Sequence, residues 1–215
     1  TAGLSLFEAR KEINLFAERS KRMFGFVPQL LKITDENEFN KLYSRIEKYE
    51  GISDNMEIEI ANYLNKVSEG RLSPESKNTI RSMLREISEL ESICDSCYNL
   101  ARTIDRKHKG KEDFTEEQYK HINQMFELCE KALAQMIKEL NGQVPEAETV
   151  KSLNIEHEIN NYRTQLKEIN INDINDQKYD YQMGVNYMDI IGDCEKLGDY
   201  VINVVEAHSH KKLTV

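Results

Sequence analysis

The sequence predicts an all-α protein of six helices, arranged as two repeated three-helix bundles with pseudo-twofold symmetry. Three observations predict this class. Apolar residues recur at helical spacing along most of the 215 residues. Only three prolines and nine glycines interrupt the chain, and tryptophan is absent. A segment of the first half also recurs in the second half, which is the signature of a duplicated structural unit.

The sequence of the first half predicts three helices, with bounds near Leu4–Ile33, Thr34–Ser68 and Ser73–Ile104. Pro28 is expected to kink the first helix, because proline removes an interior hydrogen bond. Thr34 or Asp35 can cap the second helix. Ser73 is a natural N-cap for the third, and Pro74 suits the first helical position.

The second half also predicts three helices, with bounds near Thr115–Leu140, Pro145–Ile169 and Gln177–Ala207. Thr115 and Gln118 form a capping-box pattern at the start of the fourth helix. A loop rich in Asn and Asp is expected between the last two helices. The polar residues 106–111 have the composition of a linker. We therefore expect two domains, at residues 1–110 and 111–215.

Two pairs of segments carry the internal repeat. Residues 55–63 (NMEIEIANY) and 154–162 (NIEHEINNY) are identical at six of nine positions, at an offset of 99. Residues 91–95 match residues 195–199 at an offset of 104. The change of offset places a few extra residues in the last loop of the second half.

The composition indicates a protein of the cytoplasm, either free or at the cytosolic face of a membrane as part of a longer protein. The net charge of −9 opposes nucleic-acid binding, because that affinity comes largely from release of counterions by a basic surface. No apolar stretch reaches the roughly 18 residues of a membrane span. Four cysteines, Cys94, Cys97, Cys129 and Cys194, lack framework spacing and are expected to be reduced and buried. The chain begins without methionine, which is compatible with a start inside a longer protein.

The candidate functional residues are three Glu-x-x-x-Asp pairs, Glu50/Asp54, Glu91/Asp95 and Glu195/Asp199. Residues four apart lie on one face of a helix. If the second and third helices are antiparallel neighbours, the first two pairs converge into a four-carboxylate cluster. Such a cluster is a hard-oxygen site suited to Fe, Mn, Mg or Ca. The alternative is an ordinary solvated face, which is common in a chain with 38 acidic residues.

Two segments around these pairs share a pattern, residues 87–95 (ISELESICD) and 192–206 (GDCEKLGDYVINVVE). Together with Glu50–Asp54, they resemble the motifs of the PhoU family of phosphate-transport regulators. The resemblance covers nearly the whole chain, in two repeats. In that family the motif acids hold multinuclear iron or other metal clusters. The resemblance therefore implies a metal cluster of iron, with manganese, zinc or magnesium as alternatives, on Glu50, Asp54, Glu91, Asp95, Glu195 and Asp199.

The second half departs from this pattern. By the repeat offset, Thr149 and Leu153 stand where the first half has its second-helix acids. We therefore expect the second site to be weaker or empty. Asp189 and Asp193 form a further acidic pair on the sixth helix, without a counterpart in the first half.

Both ends of the chain resemble a subfamily. Residues 7–13 (FEARKEI) and 205–212 (VEAHSHKK) look like the PhoU-like cytosolic domain at the C-terminus of sodium–phosphate cotransporters. The resemblance implies a metal-binding domain that regulates phosphate transport, with a membrane transporter domain or transporter subunit as partner and a homodimer as a compatible state. Two alternatives stay open: a free-standing PhoU-type negative regulator of phosphate uptake and signalling, and a metal-free helical adaptor.

Signatures of enzymes are missing from the sequence. It contains no phosphate-binding loop, no nucleophile elbow and no H-E-x-x-H helix. A di-iron oxidase on a four-helix bundle needs Glu-x-x-His pairs, and none of the five histidines has a Glu three residues before it. We therefore expect no enzymatic activity. His208 and His210 are expected to lie in a solvated tail.

Overall fold

The computed structural model describes residues 2–145, 148, 150–210 and 213. This part of the chain forms six helices, α1 (Ala2–Lys32), α2 (Glu36–Ser68), α3 (Pro74–Lys109), α4 (Glu116–Leu140), α5 (Lys151–Asn175) and α6 (Tyr181–Ser209). The described residues contain no strand, so the predicted all-α class is confirmed. None of these six helices combines the length and the hydropathy that a bilayer span requires.

Side-chain caps begin four of the helices, and three of those caps were predictable. Asp35, not Thr34, caps α2 by accepting the backbone N–H of Glu38 at 2.9 Å. Ser73 caps α3, with Pro74 in the first turn. Thr115 and Gln118 form the predicted reciprocal capping box of α4. The cap of α6 is Asp180, whose carboxylate accepts the N–H of Met183 at 2.8 Å.

The predicted bounds of α5 and α6 are wrong. Pro145 precedes α5, which begins at Lys151, and Gln177 lies in a turn with φ 58° before α6 begins. The Asn-rich segment is helical because it packs on α6. A Cβ added to Gly184 would lie 2.5 Å from the Ile174 side chain, so the two helices approach closely there. Asn170 is buried and accepts the hydroxyl of Tyr179 at 2.6 Å.

The expected linker at 106–111 is also wrong, because α3 continues to Lys109. Two of its polar side chains are held by the fold. The His108 ring stacks on Phe39 with 3.9 Å between ring centroids. Lys107 donates to the Tyr119 hydroxyl at 2.6 Å and lies 2.5 Å from Asp113. These contacts stabilise the helical conformation of a segment whose polar composition is typical of a linker.

The helix order repeats in the packing. Helices α1, α2 and α3 contact one another in the first half. In the second half, α4 and α5 contact each other and both pack on α6. The halves meet through α3 with α6, the largest interface, and through α1 with α4. Each of these contacts joins helices at equivalent positions in the repeat, which agrees with two repeated bundles. The division into two domains at residue 110 stays a prediction. The structure has α1 as one helix through Pro28, and the predicted kink at that residue also stays a prediction.

The interface between the halves buries Cys97 of α3 near Cys129 of α4 and Cys194 of α6, whereas Cys94 lies against Ser53 of α2. All four thiols are free and buried, as predicted. Cys129 on α4 lies 3.7 Å from the backbone oxygen of Cys194 on α6. Phe24 of α1 meets Phe126 of α4 edge-on, with ring centroids 5.8 Å apart.

One buried ion pair joins α1 to α3 within the first half, and α6 of the second half contacts it. Glu86 on α3 is completely buried and accepts two hydrogen bonds of 2.8 Å from the guanidinium of Arg10 on α1. His208 of α6 lies 3.7 Å from the same carboxylate, so the expectation that this histidine belongs to a solvated tail is wrong. Burial and the nearby Arg10 and His210 lower the pKa of His208, against the attraction of Glu86. Asn14 of α1 donates to Asn141, which follows α4, at 3.0 Å.

We predict that Arg10→Gln lowers the free energy of unfolding by about 3–5 kcal/mol, because it leaves the Glu86 carboxylate buried and unpaired. The control is Lys11→Gln, which breaks an exposed pair with Glu8 and should change stability by less than about 0.5 kcal/mol. Urea unfolding followed by circular dichroism measures both. Equal losses in the two variants would contradict the prediction.

Candidate metal centre

Four carboxylates converge on the outer face of the first bundle. Glu50 and Asp54 come from α2, and Glu91 and Asp95 come from α3. One oxygen of each carboxylate lies within 4.8 Å of the others. Asp54 is exposed and the other three are half-buried. The predicted convergence of the first two acidic pairs is therefore confirmed as geometry.

The helices bring these acids together through their spacing and a short connection. Residues 69–73 join α2 to α3, so the two helices run antiparallel and pack on each other. The i,i+4 spacing places both acids of a pair on one face. Small buried residues, Ser53 and Cys94, lie next to Asp54 and Asp95 in sequence and interact with each other beneath the cluster. The Ser53 hydroxyl donates to the backbone oxygen of Tyr49 at 2.8 Å.

The cluster raises the pKa of two of its carboxyl groups well above the ordinary value for glutamate. Burial of Glu50, then the hydrogen bond that its protonated carboxyl donates to Asp95 and the repulsion by the charges of Asp95 and Asp54, raise its pKa to about 8. Burial of Glu91, then the hydrogen bonds that its protonated carboxyl donates to Asp95 and Asp54, raise its pKa to about 9. One oxygen of Glu50 is buried without a hydrogen-bond partner. Within the described ranges, no Lys or Arg forms an ion pair with any of the four. A cation is the group that such a set of hard oxygen ligands fits.

A fifth acid extends this cluster, and sequence reasoning missed it. Glu57 lies on α2 beyond Asp54, and burial followed by the charges of Asp54 and Asp95 raises its pKa. It belongs to no Glu-x-x-x-Asp pair. The only signal was its place in the repeat, where it corresponds to Glu156 at the offset of 99.

The second half does not rebuild the four-acid cluster in the described residues. Glu195 forms an ion pair of 3.2 Å with Arg163 of α5. Burial of Asp199, then the hydrogen bond that its protonated carboxyl donates to Glu156 and the repulsion by Glu156, raise its pKa to about 6. Leu153 is buried, and Thr149 lies outside the described residues. The second half therefore brings together Glu195, Asp199 and Glu156, with one of the three neutralised.

The additional acidic pair on α6 lies apart from both groups of acids. Asp189 pairs with Arg106 of α3 at 2.7 Å. Burial raises the pKa of Asp193 to about 6, and Lys196 acts in the opposite direction. This pair lines a groove between α3 and α6.

Fold and site together define a duplicated helical-bundle protein with an acidic cluster on its surface. Residues 122–207 match the family model of the PhoU domain. No curated protein sequence matches the chain. The resemblance of the sequence to the PhoU family is therefore confirmed, with the family match lying in the second half of the chain.

Solved structures extend the likeness to the first half. The phosphate transport system regulatory protein PhoU from Streptococcus pneumoniae superposes with a TM-score of 0.79 and 18% identity, over 100% of both chains. PhoU from Pseudomonas aeruginosa superposes with a TM-score of 0.76 and 13% identity, over 98% of both chains. At these identities the shared property is the fold, which is the PhoU fold along the whole chain.

The raised pKa values predict that the metal-free protein loses stability as pH rises. In the unfolded chain Glu50 and Glu91 release their protons near pH 4.5, whereas in the folded protein they keep them up to about pH 8 and 9. The folded state binds more protons in this window, so the free energy of unfolding falls from pH 5 to pH 9. Urea unfolding in a chelating buffer measures this slope.

Matched variants isolate the contribution of the cluster. Glu91→Gln should make the slope shallower, because it removes one of the two shifted groups. Glu59→Gln, on the exposed face of α2, should keep the wild-type slope. A Glu91→Gln slope equal to that of wild type would contradict the raised pKa.

Proposed function

We propose that this chain is a cytoplasmic, PhoU-type regulator of phosphate transport that acts on a membrane transporter through binding, not through catalysis. The observation that carries the proposal is the PhoU domain of residues 122–207 within a chain of PhoU fold. The Streptococcus pneumoniae protein with this fold is a regulatory protein of a phosphate transport system. The net charge of −9 supports a protein partner over nucleic acid.

A metal ion or small metal cluster on Glu50, Asp54, Glu91 and Asp95 is the second part of the proposal. The support is chemical: four hard oxygen ligands, raised pKa values and the absence of cationic partners within the described ranges. A bound cation would offset the repulsion between the acids and fix α2 against α3. The docking face of the regulator would then be this metal-bridged surface. Iron is our first choice, with manganese, zinc and magnesium as alternatives.

The acids of the second half form the weaker metal site in this proposal. Among the described residues, Glu195 and Asp199 face one further acid, Glu156, and Arg163 already neutralises Glu195. A cation there would have to displace an arginine. We therefore propose that metal occupies the first-half cluster preferentially.

Elemental analysis tests the metal site directly. Protein purified without chelators or a metal-affinity tag should contain iron, manganese, zinc or magnesium in stoichiometric amount. Glu91→Gln/Asp95→Asn removes half of the four ligands, so the metal content should fall at least tenfold.

The control removes the same charge elsewhere. Glu127→Gln/Glu130→Gln changes two exposed acids of α4 and should leave the metal content unchanged. Well-folded wild-type protein without metal would overturn the metal site and favour the helical adaptor. The regulatory proposal would then rest on the PhoU fold alone.

Phosphate uptake tests the regulatory role. Deleting the coding sequence in its natural host should raise uptake of radioactive phosphate at high external phosphate, because a negative regulator is lost. Wild-type protein should restore control, and Glu91→Gln/Asp95→Asn should restore less than about a tenth of it, if the cluster forms the docking face. Unchanged uptake after deletion would contradict the regulatory role, and full restoration by the variant would contradict the metal-dependent docking face.

A cytosolic domain of a sodium–phosphate cotransporter is the second candidate, supported by the resemblance of residues 7–13 and 205–212. Lys211 and Lys212 of that pattern lie outside the described residues. The free-standing regulator has better support, because the structures of like fold are PhoU proteins. An antibody against this chain separates the two candidates. A free regulator gives a band near 25.1 kDa, and a cotransporter gives a larger band in the membrane fraction.

A further inference from the structure

A groove separates the first turns of α3 from the last turns of α6. Its walls include Asn78, Arg81, Ser82, Arg85, Asn203 and His210, and its volume is about 790 Å³. That volume falls in the range of small-molecule sites in proteins, about 300–1,000 Å³. Arg81 precedes Glu91 by ten residues on α3, so the groove and the acidic cluster lie about 15 Å apart along the helix.

The groove carries positive charge that the described residues do not neutralise. Arg81 and Arg85 lie one turn apart on the same face of α3, a spacing at which like charges repel. Neither forms an ion pair within the described part of the chain, and Arg81 contacts only the side-chain oxygen of Asn78, at 3.3 Å. One acid, Glu206, shares the wall without pairing with them. A dibasic groove is unusual on a chain of net charge −9.

The fold also positions polar side chains around these two arginines. His210 ends α6 in the left-handed region, at φ 59°, and its backbone N–H bonds to Ala207. Its ring nitrogen Nδ1 lies 2.8 Å from the Ser82 hydroxyl, which ties the ring to α3. Asn203 already donates to Glu89, at 3.2 Å, so Glu89 is engaged away from the arginines.

The repeat supplies an internal comparison for this groove. A twin groove lies between the other ends of α3 and α6, and its walls include Arg102, Arg106, Asp189, Asp193 and Lys196. At the offset of 104, His210 corresponds to Arg106 and Ser82 to Asn186. Arg106 donates to Asn186 at 3.0 Å, in the place where His210 contacts Ser82.

The twin differs in how its charges are paired, since its Arg106 is held in an ion pair by an acid of the same groove. Arg85 corresponds to Asp189, which forms an ion pair of 2.7 Å with Arg106. Asp193 adds a second carboxylate to that groove. The first groove has the same architecture, but an arginine replaces the acid. Neither Arg81 nor Arg85 forms an ion pair within the described residues, so both are available to an anion from solution.

We propose that the groove of Arg81, Arg85 and His210 binds a small molecule that carries two or more phosphate groups. Guanidinium groups match the geometry of phosphate oxygens and donate to them in pairs. The groove volume of about 790 Å³ has room for more than one phosphate group beside the two arginines and the imidazole. The inference goes beyond the proposed regulation of transport and does not depend on metal in the acidic cluster.

Isothermal titration calorimetry of the whole chain tests the proposal, with inorganic phosphate, pyrophosphate and ATP as probes. The titrations are done without magnesium and at about 0.15 M salt, where weak surface attraction is screened. Pyrophosphate or ATP should bind saturably at one site, and more tightly than inorganic phosphate. Arg81→Gln/Arg85→Gln should weaken that binding about tenfold or more.

Three further variants distinguish binding in this groove from binding in the twin groove or at the acidic cluster. Arg102→Gln/Lys196→Gln removes the same charge from the twin groove and should keep the affinity within about twofold. Arg85→Asp installs the acid of the twin and should abolish binding. Glu91→Gln/Asp95→Asn should bind as wild type does, which excludes an anion held by cluster-bound metal.

Three results would overturn the assignment. Wild-type protein that gives no saturable heat with pyrophosphate or ATP would overturn the site. Equal weakening in the two charge-matched double variants would show attraction by overall charge alone. Inorganic phosphate that binds as tightly as pyrophosphate would overturn the multi-phosphate ligand. Thermal unfolding of each variant confirms that it is folded, which is expected because both arginines are exposed.

Discussion

Contact between α3 and α6 is the constraint on which the rest of this molecule depends. Each bundle alone would leave one face of its last helix apolar, and the two faces bury each other. Small side chains such as Cys97 and Cys194 at this interface let the helices approach closely. Burial raises the pKa of both thiols far above its usual range, so they remain uncharged parts of the core. The same contact leaves the outer faces of α3 free for charged residues, and both candidate sites of the first half use them.

The fold was predictable where the signal is local. Caps at Asp35, Ser73 and Thr115 mark three helix starts because each satisfies backbone donors within four residues. The end of α3 was not predictable, since the stacking of His108 on Phe39 joins residues far apart in sequence. The helical conformation of the Asn-rich end of α5 was not predictable for the same reason. Its helix depends on a close approach to Gly184.

The acidic cluster was predictable because each of its pairs is a local pattern and one antiparallel contact joins the pairs. Glu57 escaped notice because it lies three residues after Asp54 and so belongs to no Glu-x-x-x-Asp pair. Arg163, which neutralises Glu195, was likewise invisible, since nothing in the sequence says which basic residue faces which acid. The basic groove between α3 and α6 was the least predictable feature from the sequence. Its residues come from both halves of the chain and become one surface only when the two halves meet.

Unequal neutralisation of the two halves gives the first half an electric dipole along α3. Arg81 and Arg85 form its positive end and the acidic cluster its negative end, about 15 Å away along the helix. This separation exceeds the Debye length of about 8 Å at physiological ionic strength, so each end acts on an approaching surface by itself. A charged partner would attract one end and repel the other, turning the protein before the two surfaces touch. Orientation would thus precede contact, and the advantage would fade as salt is added.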